Sequence, residues 1–215
     1  MAILQKARAH MNARKIPDII IGRLPVYLRA LQRMADMGLK TTSSQELGEH
    51  VGISAAQIRK DISQFGEFGK QGTGYSIEYL NNKLREILKV DRIWHVIVVG
   101  AGDMGHAVAN YQGFMNRGFH VVAIFDNDKS KVGQTIGEFT VEDTELMIER
   151  IKDLGVKIAM LTVPAPAAQA VADQLVQAGV RAILNYAPIS LNVPNNVKVQ
   201  YIDPSTHLQR MTYYL

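Results

Sequence analysis

The chain has 215 residues, 47% of them hydrophobic, which is enough apolar material for the cores of one or two domains. It contains no cysteine, so disulfides and thiolate metal sites are excluded. No apolar run reaches the roughly 18 residues of a membrane-spanning helix, and nothing resembles a signal peptide. We therefore expect a cytoplasmic protein with no membrane partner.

The formal net charge of +4 is unevenly distributed along the chain. Residues 1–92 carry 15 Lys and Arg against 9 Asp and Glu, a balance of +6, whereas residues 93–215 carry 9 against 11, a balance of −2. A basic first part favours a polyanion such as nucleic acid as its partner. A solvated basic surface has the same composition, so charge alone leaves both interpretations open.

The spacing of apolar residues in the first part predicts three helices. The apolar face of the first helix consists of Ile20, Leu24, Leu28, Leu31 and Ala35. Ser43 and Glu46 have the spacing of a capping box, which predicts the start of a second, short helix. After a glycine turn, Ser54 with Gln57 is expected to cap a third helix, whose apolar residues are Ile58, Ile62 and Phe65.

Two short helices joined by a glycine turn after a longer helix form a helix-turn-helix, and the glycines of residues 65–75 are typical of a wing. Such a domain places its third helix in the major groove of duplex DNA. We expect residues 1–76 to be a winged-helix DNA-binding domain that contacts DNA through Ser54, Gln57, Arg59, Lys60, Lys70 and Gly72. Many three-helix units bind protein instead, and that alternative stays open at this point.

The rest of the chain has the pattern of an α/β protein. Residues 77–92 have helical apolar spacing and predict a linker helix. Residues 93–203 alternate strands with helices, which predicts a Rossmann-like doubly wound parallel sheet. The expected strands lie near 93–99, 120–125, 156–163, 180–184 and 197–202, and the expected helices near 143–154 and 165–178. Residues 204–215 predict a final amphipathic helix.

A G-x-G-x-x-G turn follows the first strand of this second part. Its glycines permit a tight turn, the close approach of a pyrophosphate and helix–sheet packing. Asp126 ends the next strand about twenty residues on, where a carboxylate accepts the adenosine ribose hydroxyls and repels a 2′-phosphate. The pattern predicts binding of NAD(H) rather than NADP(H), at Gly100, Ala101, Gly102, Asp103, Met104, Gly105 and Asp126.

Further segments match one known family in order and spacing: residues 21–29, 57–63, 100–111, 161–164 and 183–188, with the glycine-rich wing between them. Over residues 16–215 the chain closely resembles Rex, the bacterial redox-sensing transcriptional repressors. The resemblance implies a homodimer whose C-terminal helix is exchanged between subunits. It also implies that the dimer represses from a palindromic operator and releases the DNA when NADH binds.

The resemblance carries over to individual residues. It implies that Thr162, Val163, Pro164, Asn185 and Tyr186 complete the cofactor site, the last two near the nicotinamide. It also implies a switch in which Tyr111 hydrogen-bonds to the partner subunit's Asp203 in one state, and Asp203 pairs with Arg29 when NADH is bound. From the residues alone, Asp203 before Pro204 is an ordinary helix N-cap, which does not exclude switching.

Two places depart from the family. The basic stretch before Ile16, with Lys6, Arg8, Arg14 and Lys15, is longer than the resemblance leads us to expect, and it lies outside the residues that the structure describes. Gln71 stands in the wing where a basic side chain that enters the minor groove is expected. We therefore expect the neighbouring Lys70 to supply the charge there.

Two other classes of protein share parts of this pattern. An NAD-dependent oxidoreductase needs a proton donor beside the nicotinamide, and neither the six histidines nor Tyr186 forms such an arrangement. We expect no catalytic residue, no metal ligand and no enzymatic activity. A winged-helix regulator that senses another adenine ligand, such as coenzyme A, stays open, and nucleotide titration distinguishes it.

Overall fold

The computed structural model describes residues 16–70 and 74–215, and the chain divides into two compact units, Met1–Asp91 and Arg92–Leu215. The first unit contains α1 (Asp18–Asp36), β1 (Thr41–Thr42), α2 (Ser44–Val51), α3 (Ala55–Ser63), β2 (Gly69–Lys70), β3 (Gly74–Ser76) and α4 (Ile77–Leu88). Its strands form an antiparallel sheet in the order β1-β3-β2. This arrangement confirms the winged helix-turn-helix.

Local signals in the sequence set the helix ends of this unit. At the start of α2, the Glu46 N–H donates to Ser43 Oγ at 3.1 Å and the Ser43 N–H donates to Glu46 Oε2 at 2.6 Å. Gly52 ends the helix in the left-handed conformation, with φ of 70°. The Gln57 N–H donates to Ser54 Oγ at 3.3 Å at the start of α3. The predicted capping box and the predicted cap are both confirmed.

One hydrophobic core holds the first unit together. Along α1 the buried side chains are Ile20, Leu24, Tyr27, Ala30, Leu31 and Met34, with Leu28 partly buried. Ala35, expected on this face, is exposed, because a helix turning every 3.6 residues brings Met34 under Leu31 instead. Ile77, Leu80 and Leu84 of α4 belong to the same core, so the helix expected to be a linker packs within this unit. The domain limits themselves stay predictions.

The second unit alternates strands and helices: β4 (Trp94–Val99), α5 (Asp103–Ala109), a 3₁₀ turn (Gln112–Arg117), β5 (Phe119–Asp126), β6 (Thr135–Ile136), β7 (Phe139–Asp143), a 3₁₀ turn (Thr144–Leu146), α6 (Met147–Asp153), β8 (Ile158–Leu161), α7 (Ala165–Ala178), β9 (Ala182–Asn185), β10 (Lys198–Tyr201) and α8 (Pro204–Thr212). The sheet order is β10-β9-β8-β4-β5-β7-β6, parallel except for the β6–β7 pair. The Rossmann-like doubly wound sheet is confirmed.

Strand β4 lies in the middle of this sheet and is buried on both faces. Ile97 and Val99 belong to one hydrophobic core, and Val96 and Val98 belong to the core on the other face, as the two-residue period of a strand requires. The chain runs outward from β4 to β5 and β7, then returns to build β8, β9 and β10 on the other side. Ligands of such sheets bind beyond the carboxyl ends of the strands at this reversal.

The helix expected near the C-terminus forms as α8, after strand β10. Leu208, Met211 and Leu215 are all exposed in the single chain. Exchange of this helix between subunits stays a prediction. Among residues 16–70 and 74–215, no helix is both long enough and apolar enough to cross a membrane.

Candidate functional sites

In the glycine-rich turn after β4, a side chain would fit at only one of the three glycines of the fingerprint. A Cβ added at Gly100, where φ is 107°, would lie 2.6 Å from the carbonyl oxygen of Thr162. A Cβ added at Gly105 would collide with the carbonyl oxygen of Gly100. At Gly102 an added Cβ would meet nothing within 4 Å. Gly100 and Gly105 are therefore required by packing, whereas the space at Gly102 is available to a ligand.

Helix α5 begins directly at this open position. Gly102 is its N-cap, and within the described part of the chain no side chain caps the helix. The first N–H groups of a helix have no partner inside the helix, so those of Asp103 and Met104 can donate to an anionic ligand. Met104 is exposed, and Ala101 is buried beneath the turn.

Asp126 connects the end of β5 to the glycine-rich turn. Its Oδ2 accepts from the Ala101 N–H at 2.7 Å and lies 3.2 Å from Lys131 Nζ, and its Oδ1 accepts from the Asp128 N–H at 2.9 Å. Burial by itself would raise the pKa of Asp126, but these donors outweigh burial and lower it. The carboxylate is thus ionised and fixed beside the turn, as the cofactor prediction requires.

Thr162 brings the end of β8 against the same turn. Its hydroxyl lies 3.0 Å from the Val99 carbonyl oxygen and 2.8 Å from the Gly100 carbonyl oxygen. Val163 follows it, and Pro164 is the N-cap residue of α7. The structure therefore places residues 162–164 next to the residues of the fingerprint.

Asn185 and Tyr186 follow β9 at the same edge of the sheet. The fully buried Asn185 amide donates to the carbonyl oxygens of Ala187 and Ile189, both at 3.0 Å, and accepts from the Ala187 N–H at 3.0 Å. These bonds shape the loop that follows. Tyr186 is half-buried, and burial raises the pKa of its phenol. Their contact with a nicotinamide stays a prediction.

Two of the three predicted switch residues lie in the second unit. The hydroxyl of the exposed Tyr111 accepts from Arg117 Nη1 at 2.7 Å, and its ring packs edge-on against Phe114. Asp203 caps α8, because its Oδ1 accepts from the Ser205 N–H at 2.9 Å and from the Ser205 hydroxyl at 2.6 Å. The Ser205 hydroxyl, and then the Ser205 N–H, lower the pKa of Asp203.

Arg29, the third switch residue, lies in the first unit on helix α1. It is exposed and lines a small cleft of about 130 Å³ together with Arg33, His50 and neighbouring apolar residues. Three side chains able to carry positive charge therefore surround this cleft, which suits an acidic group.

The predicted DNA-binding residues divide into two groups. Ser54 caps α3, and Gln57 Nε2 donates to Asp61 Oδ1 at 2.6 Å, so both residues help to hold the helix in place. Arg59 and Lys60 are exposed cations on that helix, and Arg59 Nη1 donates to Ser44 Oγ at 3.1 Å. Lys70 lies in β2, but its side chain, together with Gln71 and Gly72, lies outside the described residues.

The sequence did not reveal a buried polar cluster behind helix α3. The side chain of Asp61 on α3 is fully buried. It accepts from Arg23 Nε at 2.6 Å, Arg23 Nη2 at 2.7 Å and the Tyr27 hydroxyl at 2.6 Å, in addition to Gln57. This cluster fixes α3 against α1. The signal for it in the sequence is that Asp61 lies on the apolar face of the helix, with Ile58 and Ile62.

A helix-turn-helix unit joined in one chain to a nucleotide-binding Rossmann unit defines a class of DNA-binding regulators that respond to a nucleotide. Two family models match the chain in that order. One is described as a putative DNA-binding protein N-terminus and matches residues 15–63. The other is described as a CoA binding domain and matches residues 91–189.

Relatives named redox-sensing transcriptional repressor Rex match nearly the whole chain. The Rex of Chloroflexus aurantiacus is 51% identical over 93% of this chain and 94% of its own length. The Rex of Brevibacillus brevis is 42% identical over 94% of this chain and 97% of its own length. This chain belongs to the Rex family of redox-sensing transcriptional repressors.

Solved structures agree with this assignment. A crystal structure of RSP in complex with β-NAD⁺ and operator DNA has a TM-score of 0.88 and 39% identity, and covers 94% of this chain and 93% of that one. A crystal structure of RSP in complex with β-NADH has a TM-score of 0.85 and 37% identity, and covers 94% of each chain. The fold of both units is therefore shared with these structures.

Proposed function

We propose that this protein is a transcriptional repressor that binds operator DNA through its first unit and loses affinity for the DNA when NADH binds to its second unit. It acts as a homodimer in the cytoplasm on a palindromic operator. Its response is a change of binding equilibrium, with no catalysed reaction. The proposal makes the NADH/NAD⁺ ratio the signal that the protein senses.

The observation that carries this proposal is the pairing of the open turn at Gly102 with the ionised Asp126, in one chain with a helix-turn-helix. Backbone carbonyl oxygens lie too close for a side chain at Gly100 and Gly105, yet there is space at Gly102. That combination suits a pyrophosphate close to the backbone and a ribose at the carboxylate. The RSP structures with NAD⁺, with NADH and with operator DNA support the same assignment.

Within this site the residues would have different tasks. The backbone N–H groups that begin α5 would donate to the phosphates, and Asp126 would accept the ribose hydroxyls. Thr162 and the Asn185 loop would shape the far end, where the two redox states of the nicotinamide differ by a hydride and a positive charge. A ligand shifts an equilibrium only through its differential affinity, so the response must originate at that end.

The switch residues would carry that response to the DNA-binding unit. In this proposal Tyr111 releases the partner subunit's Asp203, and Asp203 then pairs with Arg29. Arg29 is suited to that pairing because the cleft it lines is cationic and exposed. The N-cap bonds of Asp203 hold its carboxylate at the start of α8 through Oδ1.

A fluorescence-anisotropy titration tests the proposal. The probe is a labelled palindromic duplex that the protein itself selects from a random pool. We expect tight binding in NAD⁺ and at least tenfold weaker binding in NADH, with coenzyme A having no effect. Equal DNA affinity in NAD⁺ and in NADH would overturn the proposal. A response to coenzyme A alone would also overturn it, and would favour coenzyme A as the ligand, in line with the CoA binding domain family that matches residues 91–189.

A further inference from the structure

A second charged residue lies at the carboxylate that is expected to select the cofactor. Lys131 Nζ is 3.2 Å from Asp126 Oδ2, the same oxygen that accepts from the Ala101 N–H. The Asp126 side chain is 7% exposed and that of Lys131 is 37% exposed. The ammonium group is therefore more accessible to solvent than the buried carboxylate with which it pairs.

The loop after β5 fixes Lys131 in this position. Asp128 Oδ1 accepts from the Ser130 N–H at 2.9 Å and from the Ser130 hydroxyl at 2.6 Å, and the Lys131 N–H donates to the Asp128 carbonyl oxygen at 2.9 Å. Together these bonds form a tight turn. This turn brings Lys131 back to the end of β5, beside Asp126, so the Asp126–Lys131 pair belongs to the candidate cofactor site.

The pairing with Lys131 reduces the electrostatic repulsion between the Asp126 carboxylate and a 2′-phosphate. An isolated carboxylate at the ribose repels a phosphate, whereas a nearby cation accommodates one. At Asp126 both groups are present, so the repulsion is partly neutralised. Because Lys131 is more exposed than Asp126, it can turn toward a phosphate while the carboxylate stays bound to the turn.

We propose that Lys131 is a specificity-determining residue that weakens the exclusion of NADP(H) by Asp126. The preference for NADH over NADPH is then set by the pair rather than by the carboxylate alone. This inference rests on the proposed function, because it needs the adenosine ribose at Asp126. Its consequence is that NADPH binds detectably to the wild-type protein and that removal of Lys131 makes the site stricter.

Lys129 provides a matched control two residues away. Its ammonium pairs with Asp143 and also with Glu145, 3.1 Å away, and its side chain is 68% exposed. K129Q removes the same charge from the same loop without altering Asp126. Any effect that depends only on the net charge of the loop appears in both variants.

The experiment measures NADH affinity by calorimetry and NADPH affinity by competition, in wild type, K131Q, K129Q, D126N and D126N/K131Q. We expect K131Q to weaken NADPH binding about five- to tenfold, the size of one partly exposed charged hydrogen bond, with NADH affinity changed less than about twofold. D126N should strengthen NADPH binding, and K131Q should reverse that gain. K129Q should match wild type.

An unchanged NADPH/NADH ratio in K131Q, in both backgrounds, would overturn the proposal, as would an equal effect of K129Q. If wild type binds NADH but Lys131 has no effect, only this inference fails. If wild type binds neither nucleotide, the proposed function fails with it. Thermal unfolding of each variant verifies that the loop change has not unfolded the second unit.

Discussion

Arg23 holds the fully buried carboxylate of Asp61 through two hydrogen bonds, from Nε to Oδ2 at 2.6 Å and from Nη2 to Oδ1 at 2.7 Å. The two residues lie on different helices, so this pair fixes the orientation of α3 against α1. Tyr27 adds a third donor from α1, and burial raises the pKa of its phenol, which therefore stays protonated and donating.

Replacement of Asp61 should destabilise the first unit in a pH-dependent way. Burial alone would raise the pKa of Asp61, but the donors Arg23, Tyr27 and Gln57 lower it below its ordinary value of 3.8. We expect D61N to reduce the free energy of unfolding by about 2 to 4 kcal/mol at pH 7, because Arg23 loses its ionised partner. A group with a lowered pKa contributes its full stability above its unfolded-state pKa.

The difference between wild type and D61N should therefore shrink as the pH falls below about 4, where the wild-type carboxylate becomes protonated. Urea unfolding followed by circular dichroism, at a series of pH values, measures it. D36N is the control, since Asp36 accepts from Gln32 on the surface and its loss should cost less than about 0.5 kcal/mol. A pH-independent difference would show that the charge of Asp61 is not what stabilises the cluster.

Two glycines of the same turn should respond differently to the same substitution. Gly102→Ala meets no atom within 4 Å, at a φ of −86° that alanine adopts, so the protein should fold normally. The added methyl occupies the space expected for the pyrophosphate and should weaken NADH binding at least tenfold. Gly105→Ala collides with the Gly100 carbonyl and should lower thermal stability as well. If G102A bound NADH like wild type, the phosphates would not lie at this turn.

Arg59 and Lys60 should carry the DNA affinity of α3. Their exposure predicts that R59A and K60A each weaken operator binding by about 1 to 3 kcal/mol if they contact bases. K83A is a suitable control, because Lys83 pairs with Glu86 on the surface of α4 at 2.7 Å. Anisotropy titrations against operator and scrambled duplexes separate base contacts, which alter specificity, from phosphate contacts, which weaken both equally. Unchanged operator affinity in both variants would show that Arg59 and Lys60 of α3 do not contribute to operator binding.

Asp203 combines a cap with a proposed switch, and two substitutions separate these roles. D203N keeps an N-cap acceptor but removes the charge, whereas D203A removes both. We expect both variants to bind NADH and DNA, with the NADH-dependent loss of DNA affinity much reduced in each. Thermal stability should fall mainly in D203A. If D203N responded to NADH like wild type, Asp203 would act only as a helix cap.

The sequence predicted the features that depend on local periodicity and on glycine. The caps at Ser43 and Ser54 involve residues three apart, and the fingerprint lies within six residues, so both are visible in the sequence. Strands β6 and β7 were not predicted. A two-residue strand such as Thr135–Ile136 has no recognisable period and forms because β7 offers it a hydrogen-bonding edge.

Contacts between distant segments were the part that the sequence could not supply. Arg23 and Asp61 are 38 residues apart, and although Asp61 lies on the apolar face of its helix, no local pattern identifies Arg23 as its partner. Lys131 belongs to a loop whose turn depends on Asp128, so its return to Asp126 is apparent only in three dimensions. The place of Asn185 beside a nicotinamide stays a prediction. The structure adds that its buried amide holds the following loop, because a buried amide needs partners for its polar atoms.

Thermodynamic linkage provides the most direct test of the account as a whole. If NADH weakens DNA binding by a given factor, DNA must weaken NADH binding by the same factor. The measurement is the affinity of the wild-type protein for NADH, by calorimetry, with and without saturating operator duplex. We expect saturating operator duplex to lower NADH affinity by the same factor as NADH lowers DNA affinity in the reverse titration, and a scrambled duplex to have no such effect. An NADH affinity that operator DNA leaves unchanged would contradict the account.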